Sequence, residues 1–115
     1  MARSPAEPRM TLPTQLVLRT LMEDPARSMY GLELCAEAGL PSGTIHPILA
    51  RLEKFGWLES QWENIDTHTE GRPRRRYYRL NPNSIATVQA ALHRAEAATQ
   101  ALTRLRPHLA GGDPQ

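Results

Sequence analysis

Cysteine occurs once in the 115 residues, at Cys35. That excludes an internal disulfide and any metal cage built from cysteine alone. No apolar stretch approaches the roughly 18 residues that a membrane-crossing helix needs, so no membrane partner is expected. The first residues carry Arg3, Pro5, Pro8 and Arg9 but not the apolar run that opens a secretory signal, which predicts a cytoplasmic protein. His46, His68, His93 and His108 lack metal-ligand spacing to one another or to Cys35. His68, beside Asp66 and Glu70, reads as part of a polar loop, and no metal or cofactor is expected. No phosphate-cradling glycine motif is present, and no Ser-His-Asp or Cys-His set with a scaffold. The chain therefore does not read as an enzyme.

What is present fits one small domain with one appended element. Hydrophobic residues make up 40% of the chain, enough for a modest core. The formal net charge is only +2, so the placement of charge matters more than its sum. Arg72, Arg74, Arg75, Arg76 and Arg79 fall within eight residues that hold no acid.

Residues 1–10 show no periodicity and read as a flexible arm. A first helix is predicted over Leu12–Glu23, capped by Thr11, with Pro13 in its first turn. Leu16, Val17 and Leu21, flanked by Leu12, Leu18 and Met22, give it a broad apolar face, and Asp24-Pro25 ends it. A second helix is expected over Met29–Ala38 with Ser28 as cap and Gly39 as stop. Leu32, Leu34, Cys35 and Ala38 point inward in part. Two readings of Tyr30 stand: a ring that plugs the edge of the core, or a hydroxyl that reaches a phosphate from a helix start. Cys35 reads as a small buried hydrophobe.

A third helix, from Ser42 or Thr44 to Phe55, carries Ile45, Ile48, Leu49, Leu52 and Phe55 on one stripe. Thr44, Pro47, Arg51 and Lys54 lie opposite, with Ser42, Gly43 and His46 at the leading end. Pro47 places the helix start close before it. The short turn Gly39–Gly43 suits a helix-turn-helix, in which the second helix enters a major groove.

Trp57–Glu63 and Arg74–Leu80 read as an antiparallel pair joined by the polar turn Asn64–Pro73. Tyr78, Leu80 and Arg76 share one face; Arg75, Tyr77 and Arg79 share the other. Arg72, Arg74 and Arg75 are candidates for phosphates or a narrow minor groove. Arg79 reads as a solvated strand residue balanced by Glu59 and Glu63. A helix of this polarity alone would be an ordinary surface helix. The arginine-loaded hairpin that follows it points to DNA.

Asn81 caps a last helix with Pro82 at its first position, running to about Leu109. Ile85, Val88, Leu92, Ala95, Thr99 and Leu102 step alternately by three and four, and Leu109 continues the seam. Such a seam predicts a two-fold dimer; the alternative is a helix folded back on its own domain. The domain plan is thus an arm (1–10), a winged helix-turn-helix (11–80), a dimerisation helix (81–110) and a tail (111–115). The fold class is mainly α with a small β-hairpin.

These residues carry a resemblance. Met29-Tyr-Gly-Leu-Glu-Leu, Ser42-Gly-Thr-Ile-His-Pro-Ile-Leu-Ala-Arg-Leu-Glu, Gly56-Trp-Leu-Glu-Ser and Gly71-Arg-Pro-Arg-Arg-Arg-Tyr-Tyr-Arg-Leu resemble the PadR family of bacterial transcriptional regulators. The match spans about Leu12 to Asn81, and the single last helix resembles the short subgroup. The resemblance implies a dimeric winged-helix repressor, released from DNA by small aromatic ligands or other signals. It places Tyr30 at a phosphate-contacting tyrosine, Ser42, Gly43 and Thr44 at the start of the recognition helix, and Gly71, Arg72 and Pro73 in the wing motif. Two positions depart from the pattern: His46 stands where the family usually has tyrosine, and Pro41-Ser42 replaces the commoner Ser-Pro order. The His46 change bears on a phosphate contact or on pH sensitivity. The last helix also holds no tryptophan, unlike members that stack aromatic ligands between paired tryptophans.

The expected function is a sequence-specific, homodimeric, ligand-responsive repressor on a palindromic operator. Ser42, Thr44 and His46 would lie at base edges or adjacent phosphates. Tyr30, Arg51 and Lys54 would bind backbone, and the wing arginines would hold the flanking groove. The alternative is a winged-helix module that binds another protein.

Overall fold

The computed structural model describes residues 7–105. Helix α1 covers Leu12–Met22. Thr11 caps it: its Oγ1 accepts from the Thr14 amide at 3.4 Å and donates to the Thr14 hydroxyl at 3.0 Å. Val17, Leu18 and Leu21 are buried, Leu16 and Met22 partly so. Leu12, expected on the apolar flank, is exposed because it lies in the first turn beyond the core's edge. Residues 7–10 are not a free arm. Pro8 is buried, Met10 packs on the core, and Glu7 pairs with Arg94. Residues 1–6 lie outside the described part.

Residues 29 and 30, expected to open a helix, instead form the short strand β1, Met29–Tyr30. Helix α2 starts one residue later, at Gly31–Ala38. Ser28 is therefore not its cap; Tyr30 is the N-cap residue, and its backbone N–H donates to the Glu33 carboxylate at 3.1 Å. Leu34 and Ala38 enter the core, Cys35 is half-buried, and Leu32 is 70% exposed rather than inward. Gly39 ends α2 in the left-handed region at φ 71° and donates to the Cys35 carbonyl at 3.0 Å.

Helix α3, Ser42–Lys54, buries Ile45, Ile48, Leu49 and Leu52 at helical spacing. Pro47 is its sixth residue, one turn further in than a first-turn proline. It has no N–H to give the Gly43 carbonyl, so the helix forgoes that one bond. Phe55 and Gly56 (φ 88°) turn the chain into β2, Leu58–Trp62. Trp57, expected in the strand, is buried just before it.

The connection out of β2 is not merely a polar turn. Thr67–Glu70 form one helical turn, α4, capped by Asp66 and stopped by Gly71 at φ 68°. Strand β3, Arg76–Leu80, then lies between β1 and β2, antiparallel to both. Met29 pairs with Tyr78 and Tyr30 with Tyr77. Leu58 pairs with Leu80, Ser60 with Tyr78 and Trp62 with Arg76. Alternation therefore sends Leu58, Tyr78, Leu80 and Met29 to the core and Tyr30, Tyr77, Arg79 and Glu59 to the other face.

Asn81 accepts from the Asn83 amide and donates to the Gly56 carbonyl at 3.0 Å, tying the α3–β2 turn to the next element. After a 3-10 turn at Pro82–Ser84 comes helix α5, Ile85–Leu105, about 31 Å long. Val88, Ala91 and Leu92 are buried in the domain's own core, and Ile85 packs against it. The seam expected to meet a second copy is thus divided. Ile85, Val88 and Leu92 serve the single domain, whereas Ala95, Thr99 and Leu102 lie past it, with Leu102 65% exposed. Leu109 falls outside the described residues. The molecule is mainly helical with a three-stranded antiparallel sheet, a winged helix followed by a long last helix. Among the described residues no helix is long and apolar enough to cross a membrane.

Candidate nucleic-acid interface

The outer stripe of α3 follows from its inner one. With Ile45, Ile48, Leu49 and Leu52 turned to the core, Gly43, His46, Pro47, Ala50, Arg51 and Lys54 are all exposed. Ser42 is exposed at the leading end, and Thr44 is half-buried at its flank. The stripe begins with small side chains, which let a surface approach closely, and ends with two cations. Neither Arg51 nor Lys54 has an acidic partner among the described residues. The His46 ring lies over Gly31 at the start of α2, where an added Cβ would come within 3.0 Å of Cε1. Glycine there lets the α3 side chain settle against α2.

Tyr30 projects from the junction of β1 and α2. Its ring meets Tyr77 edge-on at 5.5 Å, and the Arg75 guanidinium sits over it at 4.3 Å. The ring is half-buried on the sheet's outer face, so it does not plug the core edge.

The five hairpin arginines sort by their partners. Arg72 forms a two-pronged bond to Glu63, at 2.7 and 3.0 Å. Arg76 bonds Glu53 of α3 at 3.1 and 3.3 Å and Ser60 at 2.9 Å. Arg79 bonds Glu59 at 3.2 Å. Arg74 donates to the Ile65 carbonyl, at 3.3 Å, and Arg75 lies on Tyr30. Among the described residues, locally uncompensated charge therefore sits on Arg74 and Arg75. Arg72, expected to face phosphate, is committed to an acid with which it shares fork geometry.

Glu63 holds the hairpin together at its loop end. Besides Arg72 it accepts the Arg75 amide at 3.2 Å, while its own amide donates to the Arg75 carbonyl at 2.8 Å. Its side chain is only 17% exposed. These bonds, led by the one from Arg72, hold the carboxyl at about 2, far below its ordinary 4.5. The same contact raises the Arg72 guanidinium further.

Sequence reasoning missed Glu53, Arg76 and Trp62 as parts of this site, and it set Glu63 against Arg79 where the structure pairs it with Arg72. Glu59 and Glu63 were visible as counter-charges across the pair. Glu53 and Arg76 stand 23 positions apart on different elements, and no local pattern joins them. Asp66, the acid near His68, braces the loop: it accepts from the amides of His68 and Thr69 and from the Thr69 hydroxyl. Away from the interface, a shallow groove between α1 and α5 is lined by Arg19, Met22, Glu23, Gln89, Leu92, His93 and Glu96. Arg19 and Glu96 bridge it at 3.5 Å.

Comparison with known proteins assigns this geometry. A family profile described as "Transcriptional regulator PadR-like family" matches residues 17–89. Among curated proteins none matches the chain. A PadR family transcription regulator from Clostridium difficile R20291 superposes with a TM-score of 0.63 at 18% identity, covering 83% of this chain and 98% of that one. A PadR family transcriptional regulator from Eggerthella lenta DSM 2243 gives 0.61 at 25% identity, covering 79% and 80%. Bordetella bronchiseptica BpsR, whose DNA binding is regulated by 6-hydroxynicotinic acid, gives 0.63 at 18% identity, covering 91% and 69%. The family is one of transcription regulators, not enzymes. With its sheet, helix-turn-helix and last helix inside or adjoining the matched span, the chain belongs to the PadR-like family of transcriptional regulators.

Proposed function

We propose that the protein is a cytoplasmic, bacterial repressor that binds duplex DNA as a homodimer. The observation that carries this is the exposed stripe of α3, which ends in the cations Arg51 and Lys54, together with the wing cations Arg74 and Arg75, all four without acidic partners among the described residues. Ser42, Gly43, Thr44 and His46 at the leading end meet base edges and the nearest phosphates, as N-terminal residues of a recognition helix do. Arg51, Lys54 and Tyr30 take backbone, and the wing takes the flanking groove. Arg72 supports the wing from its bond to Glu63 and leaves the phosphates to Arg74 and Arg75.

The second copy docks along the free half of α5, where Ala95, Thr99 and Leu102 continue the seam beyond the domain and Leu105 is 78% exposed. Two-fold symmetry then sets half-sites about one helical turn, roughly 10 bp, apart or a multiple of that. The groove between α1 and α5 supports a ligand response. It joins the apolar Met22 and Leu92 to the polar groups of Arg19, Glu23, Gln89, His93 and Glu96, which suits a small ligand with one apolar and one polar end.

Titrating the protein with a labelled duplex at several salt concentrations tests the reading. The expected result is binding that weakens steeply with salt, with slope set by the phosphates engaged. No affinity for any duplex at low salt would favour the other reading, a winged-helix module for a protein partner.

A further inference from the structure

We propose that Glu53 and Arg76 are positioning residues: they hold the wing at a fixed attitude to α3, so that helix and hairpin engage the duplex as one body. This rests on the DNA-binding reading above.

A closed polar triangle spans three elements. Glu53 leaves α3 on the side facing the sheet, between buried Leu52 and exposed Lys54. Both its oxygens accept from Arg76 Nη2 of β3, at 3.1 and 3.3 Å. Ser60 of β2 donates to Glu53 Oε2 at 2.6 Å and accepts from Arg76 Nε at 2.9 Å. The Arg76 guanidinium also lies 5.6 Å from the Trp62 ring and 5.7 Å from the Tyr78 ring. That contact accounts for Trp62, a tryptophan left 58% exposed on the core-side face of the hairpin. Arg76 is thus engaged with one acid, one hydroxyl and two aromatic faces, all within the protein.

Two physical points separate this from a generic surface pair. First, Glu53 is a negative charge beside a cationic, DNA-facing stripe. As a bare charge it would oppose DNA, and removing it would tighten binding. Second, α3 and the wing are two contacts on one tether. The second contact forms at an effective concentration set by the linkage, and a misaligned linkage loses it. The pair is 40% and 31% exposed in its side chains, so its direct effect on folding is small. Its effect on simultaneous engagement is not.

The test uses the full chain, a duplex that the unaltered protein selects from a randomised pool, and a scrambled duplex of equal composition. Glu53→Gln and Arg76→Lys are compared with the swap Glu53→Arg/Arg76→Glu. Arg76→Lys keeps the charge but cannot bond Ser60 and both Glu53 oxygens from one planar fork. Each single change is expected to lower the preference for the selected duplex about tenfold or more. The salt slope on scrambled DNA should stay unchanged, and the swap should recover part of the preference. Thermal unfolding within a few degrees of the parent certifies the fold. Tighter binding of Glu53→Gln to both duplexes in equal proportion would overturn the proposal, since the acid would then act only as a charge. So would a salt slope flattened by about one phosphate in an Arg76→Gln protein. Unaltered protein that selects a duplex while the variants keep its preference sinks the brace alone. Unaltered protein with no salt-dependent binding sinks the brace and the DNA reading together.

Discussion

Arginine at five nearby positions does five different things here. Partner geometry, not charge, separates Arg74 and Arg75 from Arg72, Arg76 and Arg79. Alanine at Arg74 or at Arg75 is expected to reduce the salt slope of DNA binding by about 0.9 each, one phosphate's worth of counterions. Alanine at Arg72 should leave the slope unchanged and loosen residues 63–75, seen as faster amide exchange there. Glu63 supplies a pH prediction. Its folded carboxyl sits at about 2 against an ordinary 4.5, so the folded chain binds that proton less readily than the unfolded one. Its stabilisation is complete above about pH 4.5 and is lost as pH falls toward 2. Following wing amides by NMR during acid titration checks this, and Arg72→Ala should move the transition up toward 4.5.

At the scale of elements, glycine carries the turn from α3 to the hairpin. Gly56 holds φ 88°, and its carbonyl receives both the Asn81 amide group and the Ser84 hydroxyl. Gly56→Ala forces a Cβ into the left-handed region and is expected to destabilise the fold by roughly 1 kcal/mol or more. That corresponds to a fall in Tm of about 4–8 °C for a domain of this size. Helix α3 rests on its inner stripe. Leu49 is fully buried, so Leu49→Ala should cost about 2–5 kcal/mol, measurable by urea unfolding, without touching the cationic stripe directly. The same helix shows how sequence and structure relate. Its apolar period was legible because one face alone packs. The start of α2 was not, because Met29 and Tyr30 have a partner strand in Tyr77 and Tyr78 that a local window never meets.

The whole molecule turns on α5, which belongs to the domain for its first half and leaves it for the second. From Ala95 onward none of its described residues is buried, and Leu102 and Leu105 face solvent in a single chain. Replacing both leucines by glutamate is expected to give a folded monomer by sedimentation and to weaken DNA binding, since one subunit holds only one half-site. A variant that stays dimeric would place the interface elsewhere. Charge balance at this scale is modest, +2 for the chain, and the DNA reading depends on how the acids are deployed.

Local physics accounts for much of this protein without any long-range contact. Thr11 and Asn81 satisfy their own helix starts, Gly39 stops a helix because only it enters the left-handed region freely, and the 3.6-residue period of α3 selects its buried face. Those signals act within a few residues, so the winged-helix class could be read from the chain alone. Tertiary contact decided the rest. It made Met29–Tyr30 a strand, drew Glu53 and Glu63 onto particular arginines, and divided the seam of α5 between core and solvent. Each of these outcomes depends on groups far apart in sequence, whose meeting is settled only when the core closes and strand pairing fixes which side chains share a face.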